Sequence, residues 1–360
     1  MKSTVLSRLQ KLGTYEPPAD WKRIRTIDLH TEGEPLRVIV SGFPELEGST
    51  ILEYRQSARK QWDHLRTALM WEPRGHADMY GCLLTPPVSQ EADVGVLFLH
   101  NEGYSSMCGH AIIALATLLV ELGVVEVHEP ETCIKIDTPA GMVTAYAKVS
   151  NGKVTSAWFY NVPSFVVAMD QLLEMPGFGQ VKYDLAFGGA FYAYVDADEL
   201  GLPMVPENYI NLIKFGMAIK HEVIKQHSHL IQHPFEEELS FLYGTIFTGR
   251  PVPAFSIANE IVHSRHVCIF AEGEVDRSPT GTGVSGRIPL LYRKGIMSEE
   301  QSITIESILG TKFHGSIGFE TTFGPYDAII PKIEGKAYIT GQHEFLIDPN
   351  DPLKTGFILR

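Results

Sequence analysis

Several features are scarce or missing in this 360-residue chain, and each omission narrows what it can be. There are four cysteines, Cys82, Cys108, Cys133 and Cys268, with no Cys-x-x-Cys pair and no disulfide-scaffold spacing. A reducing compartment, the cytoplasm, is therefore expected. No apolar run approaches the length of a membrane span, so no membrane insertion is expected. Low-complexity segments are absent. Positive charge is in deficit, with 30 Lys and Arg against 43 Asp and Glu and a net charge of −13. That argues against nonspecific binding to nucleic acid or anionic membranes. It does not exclude an anionic substrate, because backbone amides can hold a carboxylate locally.

What is present is ordinary for a globular protein: 44% hydrophobic and 20% charged residues, enough for a sizeable core. The length favours two domains. Residues 1–21 read as a leader containing Pro17-Pro18. Within it Lys2, Arg8 and Lys11 accompany Val5, Leu9 and Leu12 at helical spacing. A mitochondrial targeting segment has this character, but a surface helix of the mature protein is the preferred reading.

Strand-like runs follow at Ile24–Leu29, Leu36–Val40, Val94–Leu99, Cys133–Asp137, Val143–Val149 and Ser156–Tyr160, punctuated by Gly, Asn and Pro. One helix, from about Gly109 to Leu122, is apolar nearly all round and should be wrapped by other elements, with Gly123 as its stop. The second half repeats the theme. Strands are expected at Leu185–Val195, Val267–Ala271, Ser302–Ile305 and Ala337–Ile339, and a helix from near Gly283 to before Gly295. Further helices are expected near Pro206–His221 and around Glu236–Glu238. The fold class is α+β with approximate internal duplication. The first domain should cover 22–182, with about 343–360 packing back on it, and the second 183–342.

Two segments share a layout. Ser106-Met107-Cys108-Gly109-His110 runs into the first helix, and Asp276-Arg277-Ser278-Pro279-Thr280-Gly281-Thr282-Gly283 leads into the second. Each sets a side chain and small-residue amides at a helix start, where N–H groups are unpaired and negative charge is favoured. The side chain is a thiol in the first and a hydroxyl in the second. Such a position favours a thiolate at Cys108, although a lone cysteine is more often an inert buried one. His110 is either a substrate contact or a satisfied first-turn histidine. Asp276 is either an acceptor for a substrate nitrogen, a cap, or an ion-pair partner of Arg277. Gly281-x-Gly283-x-x-Gly286 matches a dinucleotide fingerprint, with Glu299 downstream, but Gly273 to Pro279 separates it from its strand and weakens that reading. His227, His229 and His233 lack the partners of a zinc set and read as a solvated polar segment.

The ordered motifs His30-Thr31-Glu32-Gly33-Glu34-Pro35, Glu72-Pro73-Arg74-Gly75-His76-Ala77-Asp78-Met79, Met107 to His110, Asp137-Thr138-Pro139-Ala140-Gly141, Asn161-Val162-Pro163-Ser164-Phe165 and Asp276 to Gly283 resemble the proline racemase family. The resemblance runs from about Arg25 to Gly356. It implies a diaminopimelate-epimerase-like fold: two pseudo-symmetric domains, each with a central helix, and an active site in the cleft between them. Racemases and epimerases of the family carry cysteine at both motif positions, whereas here Thr280 stands at the second. That pairing is similar to the subgroup that dehydrates trans-3-hydroxy-L-proline. By motif position, Cys108 would accept the alpha proton, and backbone amides at Gly109, His110, Gly281 and Thr282 would hold the carboxylate. Asp276 and His110 would contact the ring nitrogen. No cofactor or metal is implied, the partner is a small imino acid, and a homodimer is plausible. Proline racemisation, 4-hydroxyproline 2-epimerisation and noncatalytic binding of proline-like amino acids are the alternatives. Pro289 falls within the second helix and should kink or shorten it.

Overall fold

The computed structural model describes residues 15–177, 179–251 and 263–359, with positions 5, 8, 9 and 13 before them. Lys2, Lys11 and Leu12 of the N-terminal expectation lie outside the described residues. The first half contains β1 (Lys22–Thr31), β2 (Glu34–Ser41), α1 (Ile51–Gln61), α2 (Asp63–Met70), β3 (Tyr80–Thr85), β4 (Val94–His100), β5 (Tyr104–Ser105), α3 (Gly109–Glu121), β6 (Glu131–Thr138), β7 (Gly141–Ser150) and β8 (Lys153–Tyr160). The second contains β9 (Ser164–Met175), β10 (Gly179–Phe187), β11 (Phe191–Asp196), α4 (Tyr209–His227), β12 (Leu242–Gly249), β13 (Ser264–Phe270), β14 (Glu274–Val275), α5 (Gly281–Arg293), β15 (Ser302–Glu306), β16 (Lys312–Phe323), β17 (Tyr326–Gly335) and β18 (Ala337–Ile347).

The pairing repeats itself. In one series β18 runs antiparallel to β1 and β1 to β2; β2 is parallel to β3, β3 antiparallel to β4, β4 parallel to β6, and β6, β7 and β8 form an antiparallel meander. The other series, β9-β10-β11-β12-β13-β15-β16-β17, has the same alternation of antiparallel and parallel neighbours. It closes where Ala328 and Ile329 of β17 meet Phe165 and Ser164 of β9. The far end of β17 pairs with β8, joining the two series. Position 182 falls inside β10, and the change from one series to the other comes earlier, between β8 and β9. The last strand, β18, returns to the first series and pairs with β1 from Ala337 onward. The architecture is α+β.

Each series surrounds one 13-residue helix, α3 or α5. Every residue of α3 from Gly109 to Val120 is buried, which explains its apolar character all round. The wall has the matching strand period: in β7 Val143, Ala145, Ala147 and Val149 face in, and Thr144, Tyr146 and Lys148 are partly exposed. Burying each Leu or Ile of such a core stabilises the fold by about 1.5–3 kcal/mol.

Some expectations need correction. Leu185–Val195 is two strands, β10 and β11, turned at Gly188-Gly189-Ala190. Around Glu236–Glu238 there is only a three-residue 3-10 turn, Glu237–Leu239. Pro289 does not shorten α5, which equals α3 in length. The helices α1 and α2 were not anticipated. Their start carries a capping signature, in which Thr50 Oγ1 accepts from Glu53 N–H at 3.1 Å and Glu53 Oε2 accepts from Ser49 N–H at 2.6 Å. His227 is bonded to the Tyr183 hydroxyl at 2.6 Å, and His233 Nδ1 accepts from Glu236 N–H at 2.9 Å. No helix among the described residues is long and apolar enough to cross a membrane.

Candidate active site

The starts of α3 and α5 meet. A Cβ built on Gly109 would lie 3.0 Å from Gly281 Cα, and one built on Gly281 would lie 2.9 Å from Gly109 Cα. Only glycine permits this approach, so the spacing that resembles a dinucleotide fingerprint serves helix packing instead. Gly283 and Gly286 belong to the same helix, pressed against Ile246 and Tyr194. The first intrahelical donors are Ile112 N–H to Cys108 and Val284 N–H to Thr280. The amides of 109–111 and 281–283 therefore precede the helical ladder and converge from two directions.

Cys108 and Thr280 are the two N-caps, but their backbones differ. Cys108 is extended, with φ −149°, whereas Thr280 has φ 67°. A β-branched residue in the left-handed region costs on the order of 1–3 kcal/mol and is held only by firm surroundings. Ser278 Oγ supplies part of that hold by accepting from Thr280 N–H at 3.1 Å. Thr280 Oγ1 is buried and meets no partner in good hydrogen-bond geometry.

All the expected residues come together. Cys108, Gly109, His110, Asp276, Thr280, Gly281 and Thr282 border one small cavity of about 30 Å³. A wider cavity of about 840 Å³ adjoins it through Met107, Tyr192, Tyr243 and Thr282.

Cys108 Sγ lies 3.1 Å from His110 Nδ1. Burial pulls the His110 imidazole down to about 4, so it is neutral at pH 7 and offers one acceptor nitrogen. Tyr80 packs edge-on against His110 with ring centroids 4.8 Å apart. Contrary to the thiolate expected at a helix start, burial pushes the Cys108 thiol above its ordinary value. The Ala111 N–H and Tyr80 hydroxyl oppose the rise, while the Asp276 and Glu34 charges add to it. Here desolvation outweighs the donors at the helix start. Asp276 is 6% exposed and its Oδ1 accepts from Ser278 N–H at 2.7 Å, while Arg277 pairs with Asp78 instead. Thr282 Oγ1 is fixed by the Tyr192 hydroxyl at 2.8 Å.

Sequence reasoning missed several contributors to the wall, among them Glu34, Tyr80, Tyr192, Tyr243, Phe270 and a second thiol, Cys268. Glu34 sits in the His30–Pro35 motif, but nothing in the spacing links it to Asp276. Cys268 is fully buried on β13, and its carbonyl accepts from Asp276 N–H at 3.1 Å. Burial pushes its thiol well up, Asp276 adds to that, and the nearby Thr280 hydroxyl opposes it.

Known proteins resemble this chain along most of its length. The chain is 50% identical, over all of both chains, to a trans-3-hydroxy-L-proline dehydratase of Colwellia psychrerythraea. It is 43% identical to a 3-hydroxyproline 2-epimerase of Burkholderia multivorans, covering 94% of this chain and 99% of that one. Among solved structures it resembles a hydroxyproline epimerase from Agrobacterium vitis with bound trans-4-hydroxy-L-proline, at TM-score 0.84 and 32% identity, covering 94% of this chain and 96% of that one. The family profile described as proline racemase matches residues 26–358, and with these relatives it establishes that the chain belongs to the proline racemase family.

Proposed function

We propose that the protein is a cofactor-independent dehydratase converting trans-3-hydroxy-L-proline to Δ1-pyrroline-2-carboxylate. One observation carries this reading: a thiol caps one helix start and a hydroxyl caps the other, around a single cavity. The relative from Colwellia psychrerythraea named for this reaction supports it. The carboxylate would rest on the amides of Gly109, His110, Gly281 and Thr282, preorganised donors where charge develops as the alpha proton leaves. Asp276 and His110 would hold the ring nitrogen. A cationic ring nitrogen brought beside Asp276 offsets the carboxylate charge that opposes a thiolate, so substrate helps to generate its own base at Cys108.

In trans-3-hydroxy-L-proline the hydroxyl is trans to the carboxylate and lies on the ring face of the alpha hydrogen. Elimination from that single face needs one base there and no proton donor opposite. Inversion needs a second acid, and a threonine hydroxyl with no activating base does not cycle protons. The test is direct: purified protein and trans-3-hydroxy-L-proline should give the cyclic imine, trapped with o-aminobenzaldehyde. No imine, with turnover of another substrate, would reject the assignment.

A second reading, 2-epimerisation, draws on the Burkholderia multivorans relative and on the Cys268 thiol at the cavity wall. Its mark is solvent deuterium entering the alpha carbon with inversion. Wild-type protein should show none. Thr280→Cys should acquire inversion, approaching the 10²–10⁴-fold that a positioned proton donor contributes. Inversion by the wild type would reverse the ranking.

The glycine contact carries its own expectation. Gly281→Ala must separate the helix starts, displacing both sets of amides. Dehydration should fall about 10²-fold, the cost of misplacing groups by about an ångström. Steady-state kinetics beside pyrrole-2-carboxylate affinity would read this, and an unaffected variant would deny the amides their role.

A further inference from the structure

Elimination of a hydroxyl needs an acid as well as a base, and with Cys108 as the base the helix starts offer no second acid. Glu34, at the start of β2, borders the same cavity as Cys108 and is fully buried. Its two oxygens have different surroundings. Oε2 accepts the Arg277 N–H at 2.7 Å, which commits it as an acceptor. Oε1 is buried with no hydrogen-bond partner. A proton on Glu34 therefore sits on Oε1, the oxygen that the Arg277 contact leaves uncommitted. A buried lone acceptor is costly, and a neutral carboxyl facing a substrate hydroxyl removes that cost.

We propose that Glu34 is the general acid of the dehydration, its Oε1 proton passing to the departing C3 hydroxyl. This deepens the dehydratase reading and rests on it. The group is suited to the task, because burial raises the Glu34 carboxyl well above the ordinary carboxylate range and the Asp276 charge raises it further. The step balances. Cys108 thiolate takes the alpha proton, the electron pair of that bond becomes the C2–C3 double bond, and the C3–O bond breaks with its pair. Glu34 protonates the leaving oxygen, which departs as water. The enamine moves its N–H proton to C3 to give the imine, and the proton on Cys108 returns to Glu34 through solvent as product leaves. Asp276 remains the ring-nitrogen partner, so the two buried acids divide nitrogen binding and leaving-group protonation.

Glu34→Gln keeps the shape and the acceptor for Arg277 but has no acidic proton. With trans-3-hydroxy-L-proline its kcat should fall about 10²–10⁴-fold, the usual contribution of a general acid. With trans-3-fluoro-L-proline, whose fluoride leaves as a stable anion, the same variant should stay within a few-fold of wild type. Glu34→Asp, which keeps a carboxyl, should retain part of the hydroxyl activity, and pyrrole-2-carboxylate binding reports an intact cleft. Equal losses on both substrates would make Glu34 a positioning residue and overturn the proposal. No loss on the hydroxyl substrate would overturn it in favour of Cys108 serving both roles.

Wild-type protein supplies a test that needs no variant. The charged groups acting on Glu34 are Asp276, Asp78 and Arg277. Dehydration should decline as pH rises through the Glu34 ionisation, while fluoride elimination should not. Coincident alkaline limbs for the two substrates would sink the proposal. A wild type inert towards both compounds would instead fail the dehydratase reading, and this assignment with it.

Discussion

Cys108→Ala is expected to abolish dehydration, lowering kcat/KM by at least about 10³-fold, within the range that removal of a general base produces. Alanine keeps the helix start, the amides and the contact between Gly109 and Gly281, so pyrrole-2-carboxylate should still bind. Cys108→Ser should be nearly as inactive, because a hydroxyl with only a neutral histidine beside it is a far weaker acid than a thiol. The pH profile has a defined sign. The free enzyme holds Cys108 protonated above the ordinary thiol value. Since the thiolate is the working form, kcat/KM for fluoride elimination should rise with pH through neutrality and into the alkaline range, and for dehydration it should rise until Glu34 ionises. Carbamidomethylation of Cys108 by iodoacetamide should be slow at pH 7, faster as pH rises, and blocked by pyrrole-2-carboxylate. A Cys108→Ala protein with wild-type turnover would end the assignment of the base.

Arg265→Met is expected to be the most damaging single change to stability, at about 3–5 kcal/mol, the usual result of stranding one charge of a buried pair. Arg265 Nε donates to Glu306 Oε1 at 2.7 Å and Nη1 donates to the Met204 carbonyl at 2.6 Å, and both side chains are 0% exposed. The residues are also cross-strand partners where β13 runs parallel to β15. That seam joins β13 to β15 within the second series, and β13 leads through β14 to Asp276 and Thr280. Denaturant unfolding would measure the loss. Replacing Glu306 by Leu in the same chain should recover much of it, because the stranded carboxylate is then gone. A single variant within about 1 kcal/mol of wild type would contradict the account, since exposed pairs contribute about that much or less.

Elements with a strong periodic signal were legible in the chain. The nearly all-apolar character of 111–120 marks a helix with protein on every side, and the alternation in β7 marks a wall with one wet face. Elements whose signal lies in capping or in turns were harder. The helices at 51–70 announce themselves mainly through Thr50 and Glu53, and the β10–β11 hairpin through two glycines. At the site, the motifs placed Cys108, His110, Asp276 and Thr280 because each flanks a helix start in its own segment. They did not show Glu34, which precedes Asp276 by 276 − 34 = 242 residues, or Cys268, which follows Cys108 by 268 − 108 = 160, because only strands folding together bring those positions to one cavity.

The sequence alone determined the chemical identity of the two helix caps, a thiol and an alcohol, because a side chain's reactivity class is a local covalent fact. It also determined the duplicated α+β plan, because periodicity and glycine placement are local as well. Tertiary structure decided the rest. It brought the two caps to one cavity through a glycine contact, buried the thiol until desolvation outweighed the donors at the helix start, and set a carboxyl beside it. Proximity and dielectric are properties of packing, and no spacing along the chain encodes them by itself.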